Sequence, residues 1–115
     1  MSTKNFSVKE MICKCGCGSY VENTALLILL EGVRNHFGVP VTINSSTRCM
    51  KHNTSVGGTD FSLHLSGHAA DIVVSGVSPS MVYRYLDNSG YSNLIGLGWY
   101  DDFTHVDTRG AKARW

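Results

Sequence analysis

The chain has 115 residues, a length that fits one domain with a core of its own. Hydrophobic residues make up 43% and charged residues 17%, a globular balance that excludes a disordered chain. A formal net charge of +1 gives no electrostatic case for nucleic acid or an anionic membrane, and the longest apolar run, Ala25 to Leu30, is far too short to span a bilayer.

Residues 1–20 are polar and rich in Cys and Gly, so they read as an irregular leading segment of a single 1–115 domain. Met1 to Glu10 lacks the apolar stretch of a secretory signal, so synthesis in the cytoplasm is expected. Four cysteines are present: Cys13, Cys15, Cys17 and Cys49. Their spacing does not match the C-x-x-C knuckles of common zinc sites. Reduced structural thiols are therefore expected first, a disulfide to Cys49 second and a cysteine metal site last.

Glu22 to Phe37 reads as a helix. Asn23 or Thr24 can cap it, and Leu26, Leu30, Val33 and Phe37 form one apolar stripe. Gly38 and Pro40 stop it. Val41 to Ser45 is short and β-branched and reads as a strand. Ser46 to Ser62 is a long polar loop, of a length that often carries function. Ala69 to Val74 reads as a buried strand. Ser78-Pro79 opens a second helix that runs to about Asp87 and ends near Gly90. Leu94 to Tyr100 and Phe103 to Thr108 read as two strands joined by a tight turn at Asp101-Asp102. Arg109, Lys112 and Arg114 form a small basic tail, read as a solvated terminus. The sum is an α+β domain: a small antiparallel sheet, two main helices and long loops on one side.

Two segments carry chemistry: Ser62-Leu63-His64-Leu65-Ser66-Gly67-His68-Ala69-Ala70-Asp71 and Asp101-Asp102-Phe103-Thr104-His105-Val106-Asp107. His64 and Asp71 bracket a turn at Gly67, and imidazole and carboxylate are standard zinc ligands. His105 and Asp107, two apart on a strand, face the same side. A third ligand from a separate strand completes a set that leaves one position open for water. Each residue also has a commoner reading, a satisfied histidine or a surface aspartate, and spacing alone does not choose.

The pattern Ser-x-His-x-x-Gly-x-Ala-x-Asp followed by His-x-Asp resembles the M15 zinc peptidases, whose members include D-Ala-D-Ala carboxypeptidases and phage L-alanyl-D-glutamate endolysins. Their fold is shared with the zinc domain of hedgehog proteins. Upstream, Ile43-Asn44-Ser45-Ser46-Thr47-Arg48, His52-Asn53 and Val56-Gly57-Gly58 are also similar to that family. The resemblance covers roughly residues 41–109. It implies one zinc ion held by His64, Asp71 and His105, with Asp102 as general base. Many members have Glu at the position of Asp102. Arg48 matches the arginine that faces the scissile carbonyl. Asp107 is expected to support a ligand from behind. Ser62 and His68 are expected beside the metal or against the substrate, with His68 on the rim rather than a ligand. Asp101 is out of register for the base. His36 and His52 are read as structural, His36 at a helix end where a cation suits the dipole. The resemblance further implies a peptidoglycan stem peptide as substrate, cleaved at D-Ala-D-Ala or L-Ala-D-Glu. It suggests a phage or prophage lysis enzyme that reaches the wall after release from the cytoplasm. A monomer is expected, with no membrane insertion. The rival reading is a non-catalytic zinc module of the same fold that binds peptides or glycans.

Overall fold

The computed structural model describes residues 3–59 and 62–115. Asp60 and Phe61, within the expected loop, and the first two residues of the leading segment lie outside the described residues. The elements are α1 (Val8–Met11), α2 (Thr24–Phe37), β1 (Val41–Ser45), α3 (Met50–Ser55), β2 (Ala69–Val74), α4 (Pro79–Asp87), a 3-10 turn (Ser92–Leu94), β3 (Gly96–Trp99), β4 (Thr104–Asp107) and β5 (Ala113–Arg114). The strands form one sheet in the order β1-β2-β4-β3-β5.

Alternation along the strands divides the sheet into two faces. Val41 and Ile43 of β1, Ala70, Ile72 and Val74 of β2, Val106 of β4 and Leu97 of β3 all join the core. Against them pack Leu26, Leu27, Leu29, Leu30 and Val33 of α2 and Val82 and Leu86 of α4. The intervening residues, among them Asp71, His105 and Asp107, point to the opposite face, where Arg48, Gly58, Ser62 and His64 share a cleft with them. The core helices therefore do not reach the face that carries the chemistry.

Local chemistry sets the helix ends. The Asn23 side chain accepts from the Leu26 amide at 2.9 Å, and Ser78 accepts from Met81 with Pro79 at the first helical position. In α1, Ser7 and Glu10 form a reciprocal capping box. This single turn replaces part of the irregular stretch expected over residues 1–20. Phe6 and Met11 anchor it in the core.

Three expectations need correction. The sheet is mixed rather than antiparallel, because β5 pairs parallel to β3. The 46–62 loop contains α3, which begins where the Cys49 side chain accepts from the His52 amide. The basic tail is only partly free in solvent: Lys112 and Arg109 are exposed, but Arg109 still pairs with Asp107, and Arg114 binds Asp87 and the carbonyls of Ser92 and Ile95. No helix among the described residues is long and apolar enough to cross a membrane.

Candidate metal centre

Strand register places the first pair of candidate ligands. Asp71 of β2 lies directly opposite His105 of β4, and Gly98 of β3 lies on the other side of His105. Side chains opposite one another in adjacent strands project to the same face, so Asp71 and His105 meet by geometry of the ladder. His105 Nδ1 sits 2.9 Å from Asp71 Oδ1.

His64 arrives from the 63–67 turn that feeds β2. Gly67 ends that turn at φ 75°, a conformation open to glycine, and a Cβ there would stand 2.6 Å from the Val21 carbonyl oxygen. The His64 ring donates from Nδ1 to the Ser46 carbonyl at 2.8 Å. That bond fixes the tautomer and leaves the Nε2 lone pair facing Asp71 Oδ2 at 3.3 Å.

The three donor atoms lie within 4.8 Å of one another. A four-coordinate zinc with bonds of about 2.0–2.1 Å spaces its ligand atoms by roughly 3.3 Å, close to the contacts seen. Two imidazoles and one carboxylate suit zinc and leave a fourth position open. The side chains of His64, Asp71 and His105 are 4%, 11% and 12% exposed, which keeps the donors dry but reachable. The group fits one zinc ion.

Behind His105 stands Asp107, with 0% exposure. Its Oδ2 faces His105 Nε2 at 2.8 Å, and Arg109 clasps both carboxylate oxygens at 2.8 Å. This is the carboxylate–histidine arrangement that orients a metal-binding ring and raises its basicity.

The electrostatics follow from these contacts. Burial pushes the Asp71 carboxyl up, but the hydrogen bond with His105 and the close approach of the His64 ring outweigh it and hold the group at about 2. Burial likewise opposes ionisation of Asp107, yet Arg109 and His105 bring it well below the usual carboxylate range. Burial lowers the His105 value, and its bonds to Asp107 and Asp71 more than restore it, so the net direction is up. Both carboxylates are thus ionised at neutral pH, as ligation requires.

Arg48 enters from the β1–α3 connection. Its guanidinium donates to Ser45 Oγ at 3.0 Å, Asn53 Oδ1 at 3.3 Å and Asp71 Oδ2 at 3.4 Å. Arg48, His64, Asp71 and His105 floor a cleft of about 800 Å³ that also takes in Ser62, Tyr100, Phe103, Arg109 and Trp115. Ser62 Oγ accepts from the His64 amide at 3.2 Å.

Asp102 and His68 sit differently. Asp101 and Asp102 are exposed in the β3–β4 turn, and neither lines the cleft, although their neighbours Tyr100 and Phe103 do. His68 is also outside the cleft lining and binds Ser66 Oγ at 2.7 Å. His36 stacks on Tyr85 with ring centroids 4.1 Å apart, a packing role. His52 lies in α3 beside the cysteines.

Sequence reasoning missed the aromatic wall. Tyr100 and Phe103 stack at 4.4 Å, Trp115 donates from its indole nitrogen to the Tyr100 hydroxyl, and the Arg109 guanidinium lies 5.0 Å from the Trp115 ring centre. The signal present was the density of aromatics between Trp99 and Phe103, which strand patterning alone had absorbed.

Comparison with known proteins agrees with this centre. The family profile described as Peptidase M15 matches residues 4–107. The zinc D-Ala-D-Ala carboxypeptidase of Streptomyces albus G is 32% identical over 80 residues, which cover 67% of this chain and 31% of that protein. The chain thus spans about a third of the relative's length. With the profile covering nearly the whole domain and a His-Asp-His group able to hold one metal ion, the chain belongs to the M15 zinc peptidase family.

Proposed function

We propose that the chain hydrolyses an amide bond in peptidoglycan stem peptides. The observation that carries this reading is the three-ligand centre with one open side, set in the floor of a cleft of peptide size. A zinc ion held there supplies Lewis acidity and makes water a nucleophile near neutral pH.

The remaining chemistry falls to side chains. Arg48, held by Ser45 and Asn53, presents a fixed positive charge beside the metal ligands, where a carbonyl oxygen gains negative charge. Asp107 and the Ser46 carbonyl hold the two imidazoles in ligand geometry. Asp102 takes the proton of the attacking water and returns it to the leaving amine. Asp102 lies on the exposed β3–β4 turn, between two residues that line the cleft, Tyr100 and Phe103. The aromatic wall supplies apolar contact for the peptide.

The D-Ala-D-Ala bond is favoured over L-Ala-D-Glu by the activity in the name of the Streptomyces relative. A wall-degrading lysis role goes instead with the L-Ala-D-Glu cut, which severs the stem peptide from the glycan, whereas loss of a terminal D-alanine leaves the network joined. A second reading, a zinc module that binds peptides without cutting them, is favoured by the position of Asp102 outside the cleft lining.

One experiment separates these. Stem pentapeptide and intact sacculi are incubated with the chain, with and without a chelator, and products are read by mass spectrometry. Chelator-sensitive release of D-alanine is expected. A new D-glutamate amino terminus instead moves the cut to the internal bond. Binding of the peptide without any product overturns the hydrolase reading. Loss of sacculus turbidity is the added result that the lysis role requires.

A further inference from the structure

We propose that Cys13, Cys15, Cys17 and Cys49 form a second zinc site, a tetrathiolate centre that is structural and separate from the cleft.

All four cysteines of the chain converge at one place, with sulfurs within 4.8 Å of one another. Cys13 Sγ lies 3.5 Å from Cys15 Sγ and 3.8 Å from Cys49 Sγ, and Cys15 Sγ lies 3.7 Å from Cys49 Sγ. A tetrahedral zinc with Zn–S bonds of about 2.3 Å sets its sulfurs roughly 3.8 Å apart. A disulfide needs sulfurs at about 2.0 Å, and the near-equal spacings single out no pair. Apolar packing of reduced thiols does not account for the cluster either. Cys15 and Cys17 are exposed, so burial is not what gathers them.

The backbone is shaped for the purpose. The chain curls around the sulfurs: the Gly16 amide bonds back to the Cys13 carbonyl, and Gly16 adopts φ 86°. Backbone amides also point at the sulfurs. Cys49 N–H donates to Cys13 Sγ at 3.4 Å, His52 N–H to Cys49 Sγ at 3.4 Å and Ser19 N–H to Cys17 Sγ at 3.5 Å. Such donors stabilise thiolates and are common around metal–sulfur centres. Lys51 borders the same surface depression as Cys15, Cys17 and Cys49, and sets positive charge beside a centre that carries a net charge of −2 when loaded. On loading, each thiol gives its proton to solvent and its sulfur becomes a zinc ligand.

The consequence is mechanical. Cys49 follows Arg48 directly, and the centre ties the residue 13–17 segment to the β1–α3 connection that carries Arg48. Two hydrogen bonds along the same seam, Thr47 N–H to the Met11 carbonyl and Val21 N–H to the Thr47 hydroxyl, join neighbouring stretches of chain without covalent linkage.

The test is zinc stoichiometry on the full chain purified without chelator. Two zinc ions per chain are expected. Cys17→Ser, chosen because its side chain is exposed, lowers the count to one and lowers Tm. His64→Ala also lowers it to one, and the double variant binds none. Cobalt loaded into His64→Ala gives the intense thiolate-to-metal charge-transfer bands of a tetrahedral tetrathiolate, a readout independent of activity. One zinc in the wild type that His64→Ala abolishes would overturn the proposal, as would iron in place of zinc or a mass lighter by two hydrogens from a disulfide. If the cleft reading alone is wrong, His64→Ala keeps the wild-type zinc count while Cys17→Ser still loses one ion.

Discussion

Asp107 has no exposed surface, yet its carboxylate accepts four hydrogen bonds: two from Arg109, one from His105 and one from the Gly96 amide. A buried carboxylate is tolerated when every oxygen is satisfied in this way. Asp107→Asn keeps the shape and removes the charge, so it weakens the hold on His105. Zinc affinity at the cleft is expected to fall about 10–100-fold, read by competition with a chelating dye. Asp102 differs in kind, being exposed and outside the ligand set. Asp102→Ala is expected to keep cleft zinc and to lose turnover by about 10²–10⁴-fold, the usual contribution of a proton-transfer group. Full turnover in that variant would move the base elsewhere.

At the level of elements, β3 shows why the strand beside the ligands carries glycine at alternate positions. A Cβ on Gly96 would stand 2.6 Å from both Asp107 oxygens, and one on Gly98 would stand 2.7 Å from the Trp115 indole nitrogen. The strand gives up side chains on the site face so that Asp107 and Trp115 can lie against it. Gly96→Ala is expected to cost about 1–3 kcal/mol in urea unfolding, an overpacking penalty, and to weaken zinc binding as well. The same scale shows what was legible beforehand. β1, β2 and α4 stood out because each is an uninterrupted local pattern with its stop signal beside it. α1, α3 and β5 did not. β5 is two residues held by Trp115 N–H to Leu97 and Trp99 N–H to Trp115, contacts across the sheet that no local pattern encodes. The candidate ligands His64, Asp71 and His105 stood out as an ordered motif, and the structure brings them together. The Ser46 carbonyl that orients His64 did not, since any residue can offer a carbonyl.

For the whole molecule, the site's charges make stability depend on pH. In the zinc-stripped chain, His105 lies between Asp71 and Asp107. Its value is raised above the ordinary 6.5, so its contribution is complete below about 6.5 and disappears as pH rises through the raised value. Asp71 is depressed from 3.8 to about 2, so its contribution is present above 3.8 and is lost as pH falls through 2. The stripped chain is expected to be most resistant to urea in mild acid and weaker in alkali, measured as the midpoint across a pH series. Zinc in the cleft requires a neutral His105 ring, so loading removes this alkaline loss.

The facing positions of Asp71 and His105 also bear on the order of events when the chain folds. These residues are 34 apart in sequence and meet only through the β2–β4 ladder. Pairing over such a separation is a slow step, because loop closure precedes any reward from the contact. An unfolded chain has no pocket of three donors to offer, so the cleft ion arrives at a finished sheet and does not template it. Refolding followed by stopped flow should then proceed at a rate indifferent to added zinc in Cys17→Ser, where only the cleft remains to be filled. The ion's contribution appears in the unfolding rate instead, as slower release of a structure already made.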